Sequence, residues 1–210
     1  MPHLTKSILY SLVAFGLLYQ TCNTEQSFNL VTNSPNGRYT VQLTGTKKPP
    51  NALPGEFYVQ QVTMKALRDN NVVSEDPEFY SEDRFEQPFL LAFPLRQWTD
   101  NSVLRLGDSS KQPFSDEISL SNNTEEPIDL LIVKYGKYER FLVFDLKPGA
   151  RIQLQASPQL DKDWVASEVR YTAYYNDHSF SGSAGQVRSR KIEEGSQNVS
   201  VDIKDMENKK

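Results

Sequence analysis

PIDLLIVKYGKYERFLVFDLKP, residues 127–148, is the densest apolar run beyond the N-terminus. It reads as two strands, Ile128–Tyr135 and Arg140–Leu146, joined at Gly136-Lys137. Most of its apolar residues are β-branched or aromatic, which suits a pleated surface better than a helix. Pro148-Gly149 then turns the chain into a third strand, Arg151–Ala156. That third strand alternates: Ile152, Leu154 and Ala156 share one face, Arg151, Gln153 and Gln155 the other. The two central strands do not alternate. Ile128, Leu130 and Ile132 oppose Leu131, Val133 and Tyr135, and Phe141 and Val143 oppose Leu142, Phe144 and Leu146. Both faces are apolar, so both are expected to be covered. The N-terminal half, with Phe89–Trp98 as its most apolar piece, is the expected cover; a partner protein is the alternative.

Outward from this hairpin the chain is strands and turns. Twelve prolines and ten glycines punctuate short apolar runs, and no helical period persists for three turns. After the hairpin come Val165–Tyr175, read as one long strand, and an alternating strand at Val199, Val201 and Ile203. Ser181–Gln186 reads as flexible. Before it lie Ile118 and Leu120, and before those Gly107–Ser115, the best linker in the chain. Further back, Ser34-Pro35-Asn36-Gly37 is a turn into a half-buried strand at Tyr39, Val41 and Leu43. Phe57–Arg68 is a strand with a bulge expected near Gln60-Gln61, and Asp69-Asn70-Asn71 turns it back. Pro94 means that any strand in 89–98 is an edge or is broken. The reading is all-β. An antiparallel β-sandwich of immunoglobulin-like architecture occupies 117–204, packed against a smaller N-terminal β-meander at 28–107.

Residues 1–22 read as a leader. Lys6 precedes Ile8–Tyr19, an apolar core too short for the roughly 20 residues a bilayer span needs. Cys22, the only cysteine, follows directly. A lone cysteine there suits the lipid acceptor of a bacterial lipoprotein, although Tyr19, Gln20 and Thr21 depart from the small residues that motif prefers. Secretion with cleavage nearby and a retained signal anchor are the alternatives. The expected location is the cell envelope, membrane-anchored or secreted.

Without Lys6 the chain carries 22 basic and 27 acidic residues, a net −5, and Glu75–Glu86 with six acids and one arginine accounts for all of it. The remainder is balanced, with no basic patch for nucleic acid and no polybasic membrane-surface segment. The pieces SPNGRYTVQLTG, FLVFDLKPG and DWVASEVRY resemble recurring pieces of uncharacterised exported, lipoprotein-like, β-rich envelope proteins of environmental bacteria. The resemblance implies an exported β protein and brings no activity.

Candidate sites are few. His178 is the only histidine past the leader, which argues against histidine-based nucleophile chemistry and against zinc. It falls beside a predicted turn. Glu75–Glu86 matches no calcium loop and reads as a solvated acidic loop; Asp76 and Glu82 are its candidate acid/base pair. Trp164, Tyr174, Tyr175 and Phe180 form an aromatic cluster, with Tyr174 on the outward parity beside Arg170 and Thr172. They are the candidate surface for a glycan or a protein partner; the plainer reading is that the rings fill the core. The two sequons, Asn122-Asn123-Thr124 and Asn198-Val199-Ser200, matter only in a eukaryotic source. No cofactor and no metal is called for. The first functional expectation is a non-enzymatic, lipid-anchored binding or scaffolding module. The second is a carbohydrate-binding module using the Tyr174 face, and the third a carboxylate-dependent hydrolase.

Overall fold

A computed structural model describes residues 26–48, 58–81, 95–107, 115–136, 139–157, 159–161, 164–166, 168–176, 178–186, 190–191 and 198–204. Everything regular among them is strand, so the all-β expectation holds. Cys22, Phe89–Pro94, Glu82 and most of the Gly107–Ser115 linker lie outside the described residues.

The first four strands are β1 (Gln26–Asn33), β2 (Tyr39–Lys48), β3 (Tyr58–Arg68) and β4 (Asn71–Ser81); they pair in sequence order as a meander. Side chains at Gln60-Gln61 are outside the description, but Val62, Met64 and Ala66 are buried in strict alternation. β4 corrects one expectation. The first half of the acidic segment is strand, not loop, and buries Phe79. Its charges mislead because an edge strand tolerates Pro77 and outward acids.

A six-stranded sheet follows in the order β14-β13-β8-β9-β6-β5. Its members are β5 (Leu95–Trp98), β6 (Val103–Gly107), β8 (Ile128–Tyr135), β9 (Glu139–Leu146), β13 (Glu168–Tyr174) and β14 (Ser179–Gln186). β5 is an edge strand, one of the two outcomes expected after Pro94. A three-stranded sheet carries β7 (Asp116–Asn122) between β10 (Arg151–Ala156) and β16 (Asn198–Ile203). β16 runs parallel to β7, so this sheet is mixed, its last strand arriving after a long crossover. Three short strands, β11 (Gln159–Asp161), β12 (Trp164–Ala166) and β15 (Arg190–Lys191), make a separate small sheet. Val165–Tyr175 is therefore two strands in two sheets rather than one. Its alternation holds over Val169–Tyr175, but a continuous pattern does not reveal that its ends pair with different neighbours. Ser181–Gln186, read as flexible, is strand β14 paired along β13.

The sandwich core lies between the six- and three-stranded sheets. Leu131, Val133, Tyr135, Phe141 and Val143 meet Ile118, Leu120, Leu154, Ala156, Val201 and Ile203 in one cluster. On the other face of the hairpin Leu130, Ile132, Leu142 and Phe144 are buried as well, with Leu104 and Leu106 beside them on β6. Both parities of β8 and β9 are thus enclosed, as the sequence demands, each large side chain contributing about 1.5–3 kcal/mol. Trp98 and Tyr39 supply part of that second cover. The Phe144 ring stacks on Tyr39 at 4.5 Å and on Trp98 at 6.0 Å between centroids. Gly136 and Gly149 hold φ of 58° and 72° in the turns that close β8–β9 and β9–β10, a conformation glycine adopts without steric cost.

The chain divides into two compact units. One holds residues 1–31, 42–64 and 76–92; the other holds 32–41, 65–75 and 93–210. The division does not fall at Gly107–Ser115. β5 and β6, on the N-terminal side of that linker, belong to the same sheet as β8 and β9.

Candidate functional site

A cluster of five charged residues and a tyrosine forms within the second unit. It joins residues up to 106 positions apart in the chain. Asp129 and Asp145 each sit between apolar residues, Ile128 and Leu130 on β8 and Phe144 and Leu146 on β9. The pairs Ile128↔Leu146 and Leu130↔Phe144 place them opposite each other. Asp145 takes a left-handed φ of 54°. This breaks the strand's alternation: Phe141, Val143 and then Leu146 enter the sandwich core. The two carboxylates are left for other partners, because acids cannot lie in apolar strands without compensation.

Those partners come from two of the meander's turns, β1–β2 and β3–β4, and the strand ends beside them. Arg68 closes β3 immediately before the Asp69-Asn70 turn, where both residues hold positive φ. Its Nη1 donates to Asp129 Oδ1 at 2.8 Å and to Asp145 Oδ1 at 2.6 Å. Tyr39 opens β2, and its hydroxyl donates to Asp145 Oδ2 at 2.6 Å. Arg38 lies 3.5 Å from the same oxygen and pairs with Asp69 at 3.3 Å. The turn carrying Tyr39 is itself pinned: Asn36 Oδ1 accepts from Ser34 Oγ and the Arg38 amide, and Ser34 Oγ accepts from the Tyr39 amide. The Asp69 amide donates to the Arg38 carbonyl at 2.8 Å and ties the two turns together.

The electrostatics follow from this geometry. Burial alone pushes the Asp145 carboxyl up. Hydrogen bonds from Tyr39 and Arg68, with the Arg68 and Arg38 charges, outweigh burial and hold it below the usual carboxylate range. Burial, reinforced by the bond to Asp145, pushes the Tyr39 hydroxyl up to about 12. Near neutral pH the carboxylate keeps its charge and the phenol its proton. The arrangement is a clamp of charge-assisted hydrogen bonds.

A second polar cluster lies at the far end of the hairpin. Glu139, which opens β9, accepts from Arg105 Nε at 2.5 Å and from the Ser157 amide. Arg105 also donates to Ser157 Oγ at 2.8 Å. Burial raises the Glu139 carboxyl, opposed by the Arg105 charge. Close by in sequence and register, the Tyr135 hydroxyl donates to Asp116 Oδ2, and both residues are fully buried.

The candidate aromatics do not gather on one face. Phe180 packs against the sandwich core, which also holds Tyr175, and Phe180 lies 6.0 Å from Tyr171. Tyr174 takes the opposite parity, in register with Leu130 and beyond it Phe144, and is half-buried. Trp164 lies in the small separate sheet, its side chain outside the description. His178 is exposed in the β13–β14 turn and stacks on Tyr175 at 4.5 Å. Asn122, the first sequon asparagine, is fully buried; its amide donates to the Glu126 and Leu146 carbonyls. Among the described residues, no group of three or more His, Cys, Asp or Glu is placed to hold a metal. No helix among them is long and apolar enough to cross a membrane.

The clamp was not among the sequence candidates. Its one advance signal is two acids, Asp129 and Asp145, each flanked by apolar residues in strands whose two faces are both largely apolar. No protein-family model, curated protein or solved structure matches the chain.

Proposed function

We propose that this chain is a non-enzymatic, exported module, anchored at a bacterial envelope membrane by a lipid on Cys22, that binds or scaffolds another envelope component. The observation that supports the scaffold reading is the clamp of Arg68 across Asp129 and Asp145. Two hairpin turns are tied to the central strands by charge-assisted bonds, which are shorter and stronger than neutral ones. Ionic groups held in mutual pairs fix one rigid geometry, the property a display or scaffolding domain needs. Support for the anchor is the order of the N-terminal residues. An apolar leader runs into the lone cysteine, and three residues, 23–25, separate Cys22 from β1. At about 3.5 Å per extended residue, an anchored chain holds its first strand within roughly 10 Å of the lipid surface.

The test is fractionation of cells expressing the chain and Cys22→Ser, with mass spectrometry of the mature N-terminus. The expected result is release from membranes only by detergent for the parent, a diacylglycerol adduct on Cys22, and a soluble Cys22→Ser variant. An unmodified Cys22 thiol, or a mature chain beginning beyond it, overturns the anchor. A chain whose only interactions in the envelope are with lipid, in cross-linking of intact cells, overturns the scaffold.

A further inference from the structure

We infer that β1 is a self-association edge, and that a second copy of this chain pairs with it antiparallel through residues 27–31. A strand at the end of a sheet presents unpaired backbone donors and acceptors, and soluble β proteins blunt such edges with charges, proline, bulges or shortness. Every other described edge strand carries one of these devices. In the same sheet as β1, the opposite edge β4 holds Glu75, Asp76, Pro77 and Glu78. β5 is four residues long with an exposed Arg96, and β14 is broken from regular pairing by a register shift between Glu168 and Val169. β10 begins on exposed Arg151, and β16 presents exposed Asp202. The strands of the small sheet's two edges are three and two residues long.

Among the described residues, no strand lies on the outer side of β1, and β1 has none of these devices. Its eight residues, QSFNLVTN, contain no charge and no proline. Its outward positions Ser27, Asn29 and Val31 are exposed, Val31 at 58%. The inward Phe28 and Leu30 are only half-buried. A two-fold axis perpendicular to the sheet through Asn29 keeps the inner faces of both copies on one side. It sets Asn29 opposite its own copy, Ser27 opposite Val31, and Phe28 opposite Leu30. The inner pair is aromatic against aliphatic, the favourable cross-strand combination, and the outer pairs are neutral. The same operation on β4 sets acids against acids. The neutral edge therefore selects a copy of itself where the acidic edge rejects one. The pairing does not depend on the lipid anchor.

The test uses the full chain in detergent. In a Cys22→Ser background, Asn29→Cys and Val72→Cys place single thiols on β1 and β4. Directly opposite residues in an antiparallel pair lie about 4.5–5.5 Å apart between Cα atoms, within disulfide reach. Mild oxidation is expected to give a covalent dimer with Asn29→Cys and none with Val72→Cys. Sedimentation of the chain without added cysteines gives the second arm. Asn29→Lys puts like charges opposite each other and is expected to raise the dimer dissociation constant about tenfold or more, a change of about 1.4 kcal/mol. Val72→Lys is expected to change it less than about twofold. Asn29 accepts a bond from Gln42 at 3.1 Å, so Val31→Lys replaces Asn29→Lys if the latter lowers the melting temperature. A monomeric parent chain, no cross-link at Asn29→Cys, an equal cross-link at Val72→Cys, or unchanged association with a folded lysine variant overturns the inference.

Discussion

Phe144→Ala probes the second face of the central hairpin. Phe144 is 2% exposed, pairs across from Leu130, and stacks on Tyr39 at 4.5 Å. Truncating a buried Phe costs about 3–5 kcal/mol through lost transfer energy and the cavity left behind. The Tyr39 and Trp98 rings line that cavity from one side and are themselves fixed by hydrogen bonds, Tyr39 to Asp145 and Trp98 Nε1 to Thr32 Oγ1 at 3.0 Å. They cannot collapse freely into the space, so we expect about 4 kcal/mol. Urea unfolding followed by tryptophan fluorescence reads the loss; with a slope of about 2 kcal/mol per molar, the midpoint falls by about 2 M. Val143→Ala, on the sandwich-core face, removes less and is expected to cost about 2 kcal/mol. In a Tyr39→Ala background the Phe144→Ala cost should shrink by about 1 kcal/mol, the value of the ring pair. A Phe144→Ala cost below about 1 kcal/mol, with Val143→Ala costing its full amount, refutes the enclosure of the second face.

Three further outcomes follow from the same geometry. Arg68→Met leaves Asp129 and Asp145 facing each other without their shared cation. The expected loss is about 2–3 kcal/mol at pH 7, below the buried-pair figure because Arg68 is one-third exposed. Asp145 sits below its ordinary value when folded, so its stabilisation is present above about pH 4 and lost as pH falls through the folded value; the Arg68→Met deficit, read from urea midpoints, should narrow over that window. Arg105→Met should cost about 3 kcal/mol at pH 7. Because the folded Glu139 carboxyl is raised, its contribution is fully present below about pH 4.3 and declines as pH rises through the folded value, so the Arg105→Met deficit should be smaller at pH 5 than at pH 7. Gly182→Ala puts a Cβ 2.6 Å from the Tyr171 ring lying across from it, and should lower stability by about 1–3 kcal/mol, with recovery in a Tyr171→Leu background, measured by thermal melts.

Much of the architecture was legible because it rests on local pattern. The apolar residues on both parities of 128–135 and 141–146 announced a hairpin buried on both faces. Pro148-Gly149 and Asn36-Gly37 marked turns that the backbone makes. Residues 95–98, just after Pro94, form an edge strand, one of the two outcomes that proline allowed. Legibility failed where pairing partners decide the outcome. Nothing local says that Trp164–Ala166 and Glu168–Tyr174 enter different sheets, or that the last strand returns parallel to β7. The acids of Glu75–Ser81 look like a loop because charge is read as solvation, yet alternate residues of an edge strand are solvated too. The clamp was hidden for the same reason. Arg68 and Tyr39 are ordinary residues at strand ends, and only the fold brings them to Asp145. The two misplaced acids in the hairpin were the available signal: in strands apolar on both faces, each needed a partner from elsewhere.

The hairpin at the centre of the sequence is also the claim most open to direct measurement. Native-state hydrogen exchange of the whole chain reports the free energy of opening at each amide. Amides of Ile128–Tyr135 and Glu139–Leu146 should exchange last, at the global unfolding free energy, and those of β10 and β14 earlier. Exchange of the hairpin amides ahead of β10 or β14 would contradict the account, because strands enclosed on both faces cannot open before the strands at the sheet edges.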